Sequence, residues 1–151
     1  MVSGDTLELG WKEVRRFHAA AWMHQEAAEF LMRGCNKGAF STRAFEAIYL
    51  GGYAVECIFK ALLLSQVRPK RHVPMLKAFV KEIGHDLEML KQRLEGLRKP
   101  VLIPSDQLRQ LRLVRRMWAT GMRYDPQPRR TEDAQQFMDA VSQLLSFACG
   151  V

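Results

Sequence analysis

Tyr49, Tyr53, Glu56 and Lys60 follow one another at spacings of four, three and four. On a helix advancing about 100° per residue they fall on a single face. Two phenols, a carboxylate and an ammonium on one line can form a polar pocket between helices or at a dimer seam. They can equally form a structural ion pair. A glutamate four residues before a lysine is the favourable order, and tyrosines can turn their rings inward and their hydroxyls outward. The surrounding residues sharpen the question: the segment 43–65, RAFEAIYLGGYAVECIFKALLLS, is otherwise apolar or small almost all round. A helix of that kind belongs inside a bundle, where ionisable groups need partners or water.

A second set of residues could bind rather than react. Arg109, Arg112, Arg115 and Arg116 share one helix face with no intervening acid, and Arg123, Tyr124, Arg129 and Arg130 follow just beyond. Such a row is a track for phosphates or an acidic protein, or else a solvated face. The balance of 23 Lys+Arg against 16 Asp+Glu gives a net charge of +7, which favours acidic partners. His85 and Asp86 could be an acid–base pair, but adjacent residues at a helix start more often serve as cap and turn. His18 and His24 are six apart with no acid or thiol to complete a ligand set. Cys35, Cys57 and Cys149 are odd in number and lack ligand spacing, and Cys57 on the apolar helix reads as a buried thiol. No metal and no cofactor is expected.

These residues must be positioned by helices. Val14, Phe17, Ala21, Ala28 and Leu31 repeat at helical spacing from about Trp11 and stop at Gly34. Ser41 or Thr42 caps the apolar helix, and Pro69 and Pro74 are expected to break any helix through the basic connector, QVRPKRHVPMLKAFVKEIG. Residues 76–83 suit a short helix, and another starts near Asp86 and closes at Gly96. Ser105 or Asp106 should cap the arginine-bearing helix, which is expected to run to about Gly121 with Leu111, Val114, Met117 and Trp118 inward. After DPQPRR, Thr131 is expected to cap a last helix with Glu132 and Asp133 in its first turn. No strand pattern persists. The fold class is all-α: one domain over residues 1–151, an up-and-down bundle of four long helices plus one or two short ones, residues 1–10 forming a flexible lead-in.

The apolar segment is long enough to cross a bilayer. However, Glu46, Glu56, Lys60 and the Gly51-Gly52 pair interrupt it, and no run of about 18 apolar residues occurs. The opening MVSGDTLELG lacks the basic start and apolar core of a signal peptide. No membrane association and a cytoplasmic location are therefore expected.

Three motifs in order, GYAVECIFKALLL, HDLEMLKQRL (residues 85–94) and WATGMRYDP (residues 118–126) before the last helix, resemble the HEPN superfamily of small prokaryotic helical domains over residues 22–147. The resemblance implies a bundle that usually dimerises, often in toxin-antitoxin or defence systems, frequently beside a nucleotidyltransferase, with several members cleaving RNA. Those nucleases carry an arginine and, after four to six intervening residues, a histidine. Arg123 matches the arginine, but residues 128–130 read Pro, Arg, Arg, and no histidine follows His85. Arginine stays protonated and cannot serve as general base. The expectation is therefore a homodimeric module that binds RNA or a nucleotidyltransferase-type protein without catalysis of its own. The alternative is a divergent metal-independent ribonuclease using Arg123 with Glu56 or His85.

Overall fold

The computed structural model describes residues 11–150, so the lead-in expected over residues 1–10 lies outside them. Six α-helices carry most of the chain: α1 (Lys12–Arg33), α2 (Thr42–Ser65), α3 (His72–Ala78), α4 (Leu87–Glu95), α5 (Ser105–Met117) and α6 (Thr131–Cys149). α1, α2, α5 and α6 are the long ones. α3 and α4 are short, and α3 runs on into a π-helical turn, Phe79–Ile83.

α2 is the axis of the molecule: past Glu46 none of its residues is exposed. Ile48, Ile58, Phe59 and Leu62 to Leu64 are fully buried, and Phe137, Leu144 and Leu145 of α6 join them in one continuous core. Each such side chain contributes about 1.5–3 kcal/mol by leaving water. By length and composition α2 could cross a membrane, yet here most of it is covered by α1, α6 and α4. Contacts fix the directions of three helices. Gly34 at the end of α1 lies against Arg43, and His24 against Tyr53, so α1 and α2 are antiparallel. Phe40 and Ser41, just before α2, pair with Arg130 and Arg129, just before α6, and further along Gly51 faces Phe137, Met138 and Val141, so α6 is parallel to α2.

Helix ends are set by local chemistry. The Ser41 hydroxyl accepts the Ala44 N–H at 3.0 Å, satisfying a donor that the first turn leaves unpaired. The Asp86 carboxylate accepts the N–H groups of Glu88 and Met89 at the start of α4, and Gly34 and Gly96 close α1 and α4.

Four expectations need correction. Pro74 does not break a helix: it sits in the first turn of α3, where a missing N–H costs nothing, while Pro69 opens a single 3-10 turn, Pro69–Arg71. α5 ends at Met117 rather than near Gly121, because Trp118 turns extended and buries its indole, and a 3-10 turn, Thr120–Tyr124, follows. Its first turn has no side-chain cap from Ser105 or Asp106. Thr131 is the first residue of α6 rather than its cap, and its hydroxyl donates to the carbonyls of Asn36 and Ala39. There is also a small strand pair, β1 (Phe40–Ser41) with β2 (Arg129–Arg130), antiparallel and tying the starts of α2 and α6 together.

Candidate functional site

The polar line on α2 meets a residue from a distant part of the chain. Glu56 and Lys60 are buried, with Lys60 Nζ 2.9 Å from Glu56 Oε2. The other carboxylate oxygen, Oε1, lies 2.8 Å from His85 Nδ1. Both oxygens of a buried carboxylate are thus occupied, which its burial requires. Lys60 also lies 5.3 Å from the centre of the Phe79 ring, a cation–π approach.

His85 reaches Glu56 through an unusual stretch of backbone. The π turn Phe79–Ile83 is closed by the Gly84 N–H donating to Phe79 O at 2.8 Å. Gly84 itself has φ 56° and ψ −121°, a conformation that strains any residue with a Cβ. The chain therefore swings back toward α2, and Asp86 anchors the next residue by capping α4. Asp86 is cap and turn, as expected, while the partner of His85 is Glu56. His85 remains about half exposed (53%).

Tyr49 and Tyr53 continue the line. Their hydroxyls are 3.2 Å apart, and Tyr53 makes edge contacts with His85, Trp118 and Tyr49. The Tyr53 phenol is pushed well above its ordinary range, first by burial, then by the Tyr49 hydrogen bond and the Glu56 charge, with Arg123 acting in the opposite sense. Burial lowers the pKa of His24, which packs near the Tyr53 ring, and Glu56 partly offsets this. Burial pushes the Cys57 thiol up to about 11, with the Glu56 charge adding to the effect.

Trp118 seals the floor. Its Nε1–H donates to Tyr49 O at 2.9 Å, and its ring lies over Gly52 so closely that a Cβ there would stand 2.2 Å from ring atoms. Glycine inside a helix costs about 1 kcal/mol relative to alanine; here it makes room for the indole. Neither Trp118 nor His24 was a site candidate from sequence. The glycine pair was the available signal, since it announces a close approach without naming what approaches.

The arginines of α5 are all exposed. Arg115 pairs with Glu88 at 2.8 Å, and it lines a shallow groove of about 390 Å³ with His85, Asp86, Trp118, Ala119 and Thr120. Arg123 and Tyr124 are exposed and stack on each other at 5.4 Å. Arg130 pairs with Glu132. Arg129 is half-buried on β2, with its Nε buried and unpaired. The structure thus brings Tyr49, Tyr53, Glu56, Lys60 and His85 together and places Arg115 at the groove beside them.

Chemically, a carboxylate that holds imidazole Nδ1 fixes the ring and leaves Nε2 to face outward, an arrangement suited to accepting or donating a proton. Among the described residues no group of three or more His, Cys, Asp or Glu is placed to hold a metal ion. Comparison with family models, curated proteins and solved structures gives no match to this chain.

Proposed function

We propose that this protein is a HEPN-like helical module of a toxin-antitoxin or defence-type system that binds RNA along the arginine face of α5 and into the groove at His85. The observation that carries the reading is the shared groove: Arg115 and His85 line the same depression. A strand whose phosphates follow Arg109, Arg112 and Arg116 passes beside the Glu56–His85 pair. The surface pair of Arg115 with Glu88 is worth little in water, so a phosphate can replace the carboxylate. Arg123 and Tyr124 extend the contact with a cation and an exposed ring suited to stacking.

The antiparallel order of α1 and α2, and the parallel order of α2 and α6, support the up-and-down packing that this reading calls for. Met23 and Phe30, seven residues apart on α1, are largely exposed. They support a homodimer through that face. An acidic protein, such as a nucleotidyltransferase-type partner, would compete for the same arginines.

One contact favours a second reading, RNA cleavage. The 2.8 Å contact between Glu56 and His85 supplies, from before α4, the imidazole that is absent after Arg123. Two assays separate the readings. Anisotropy titration of labelled single-stranded RNA should show binding that is lost on reversing Arg109, Arg112 and Arg116 to glutamate. With chelator present, the RNA should stay intact. Sustained cleavage that disappears in both Glu56→Gln and His85→Ala establishes the second reading, and absence of RNA binding removes the first.

A further inference from the structure

At the far end of α2, two short turns that are distant in sequence face each other across a cleft of about 800 Å³. One is the turn after α2, carrying Arg68, Lys70 and Arg71; the other follows α4 and carries Arg98 and Lys99. All five cations are exposed, and none of them is within 4.0 Å of a described acidic group. Lys60, Lys91, Arg93, Arg115 and Arg130 each meet a glutamate, whereas the cleft cations, like Arg109, Arg112 and Arg116 of α5, have no such pairing with a described acid. The helix ends cannot account for the concentration. Each helix C-terminus carries roughly half a negative charge, so α2 and α4 together offset about one of five positive charges.

Both walls are tied to the core by hydrogen bonds. Buried His72 donates its Nε2–H to Leu64 O at 3.0 Å and Val67 O at 3.2 Å, pinning the basic turn to the end of α2. Two carbonyl oxygens as partners require that Nε2 carry the proton. Opposite, the Val101 N–H donates to Leu94 O at 2.9 Å, and both side chains are buried. The cations are therefore held on fixed backbone, which reduces the entropy lost when a ligand orders them.

We propose that this cleft is a second anion site that takes the phosphate groups of a nucleotide or of a single-stranded oligonucleotide. Arginine forks match phosphate oxygens in pairs, and Val67 and Leu97 give the cleft apolar surface against which a base can rest. The site is distinct from the α5 face and does not depend on it.

Three probes test the proposal on the full chain: inorganic triphosphate, ATP and a short labelled oligouridylate, each titrated into wild type and into Arg68→Glu/Arg71→Glu/Arg98→Glu. Because all three residues are exposed, the helical spectrum and melting temperature should not change, and the milder Arg68→Gln/Arg71→Gln/Arg98→Gln provides a check. The expected result is binding of at least one probe that weakens by about tenfold or more in the glutamate variant, equivalent to roughly 1.4 kcal/mol. Triphosphate and ATP responding together assigns the cleft to nucleotides, while oligouridylate alone assigns it to a strand. The proposal is overturned if no probe binds, or if binding is undiminished in both variants. Loss on reversing Arg109, Arg112 and Arg116, with the cleft variant unaffected, would sink this inference and spare the α5 reading; the opposite pattern would do the reverse.

Discussion

The middle of α2 and the turn beyond its C-terminus handle charge in opposite ways. Near its middle, Glu56 and Lys60 are buried and satisfied, with His85 closing the second carboxylate oxygen. Beyond its C-terminus, Arg68, Lys70 and Arg71 stand in water with no described carboxylate beside them. A buried charge is expensive and must be paired, so its partners are fixed by the fold and any change disturbs folding. An exposed charge costs almost nothing and stays available to a ligand, so a change there alters binding and leaves the fold alone. Charge placement thus separates the residues that hold the site together from those that meet a partner.

The largest effect should come from breaking the buried pair. Glu56→Ala leaves Lys60 buried without its carboxylate, and Lys60→Ala removes one of Glu56's two partners. Each should cost about 3–5 kcal/mol in urea unfolding, and the double variant should cost less than the sum. Melting at the wild-type temperature in both single variants would mean that the pair is exposed. Gly52→Ala comes next. The added methyl meets the Trp118 ring, and relieving that overlap should cost about 1–3 kcal/mol, with a change in tryptophan fluorescence as the indole shifts. An unchanged emission spectrum would contradict the packing.

Much of this was legible in the sequence. The all-apolar character of residues 43–65 dictated a central helix, and the four-three-four spacing put Tyr49, Tyr53, Glu56 and Lys60 on one line. Ser41, Gly34, Asp86 and Gly96 marked helix ends correctly because caps are local chemistry. The contact of His85 with Glu56 spans 29 residues and depends on a π turn and on the backbone of Gly84, neither of which has a periodic signature. The end of α5 was misplaced for a similar reason: MWATG continues a helical pattern, and only the gap over Gly52 draws Trp118 away. The basic connector was visible as composition, but its facing turn at Arg98 and Lys99 was not.

Smaller effects sharpen the contrast further. Cys57 sits beside the buried pair, and its pKa of about 11 against an ordinary 9.0 leaves roughly a hundredfold less thiolate at neutral pH. Its alkylation by iodoacetamide, followed by mass spectrometry, should be slower than that of a free thiol by about that factor. Labelling at the free-thiol rate would show an open environment.

The weakest effect concerns acid. Folded His24 holds its proton less firmly than the ordinary value of 6.5, so the unfolded chain binds more protons as the pH falls. Its contribution to stability is present above about pH 6.5 and is lost as the pH drops through the folded value. His24→Gln should flatten that part of the stability–pH curve, and an identical slope in variant and wild type would assign the acid limb to other groups.

The central claim is that the exposed arginines of α5 are ligand contacts rather than a solvated face. The most direct measurement is the salt dependence of single-stranded RNA affinity in wild type and in Arg109→Glu/Arg112→Glu/Arg116→Glu. Each lost phosphate contact should reduce the slope of log affinity against log salt by about 0.7, so three should reduce it by roughly 2, with binding of all sequences weakened alike. An unchanged slope and an unchanged affinity would contradict the claim.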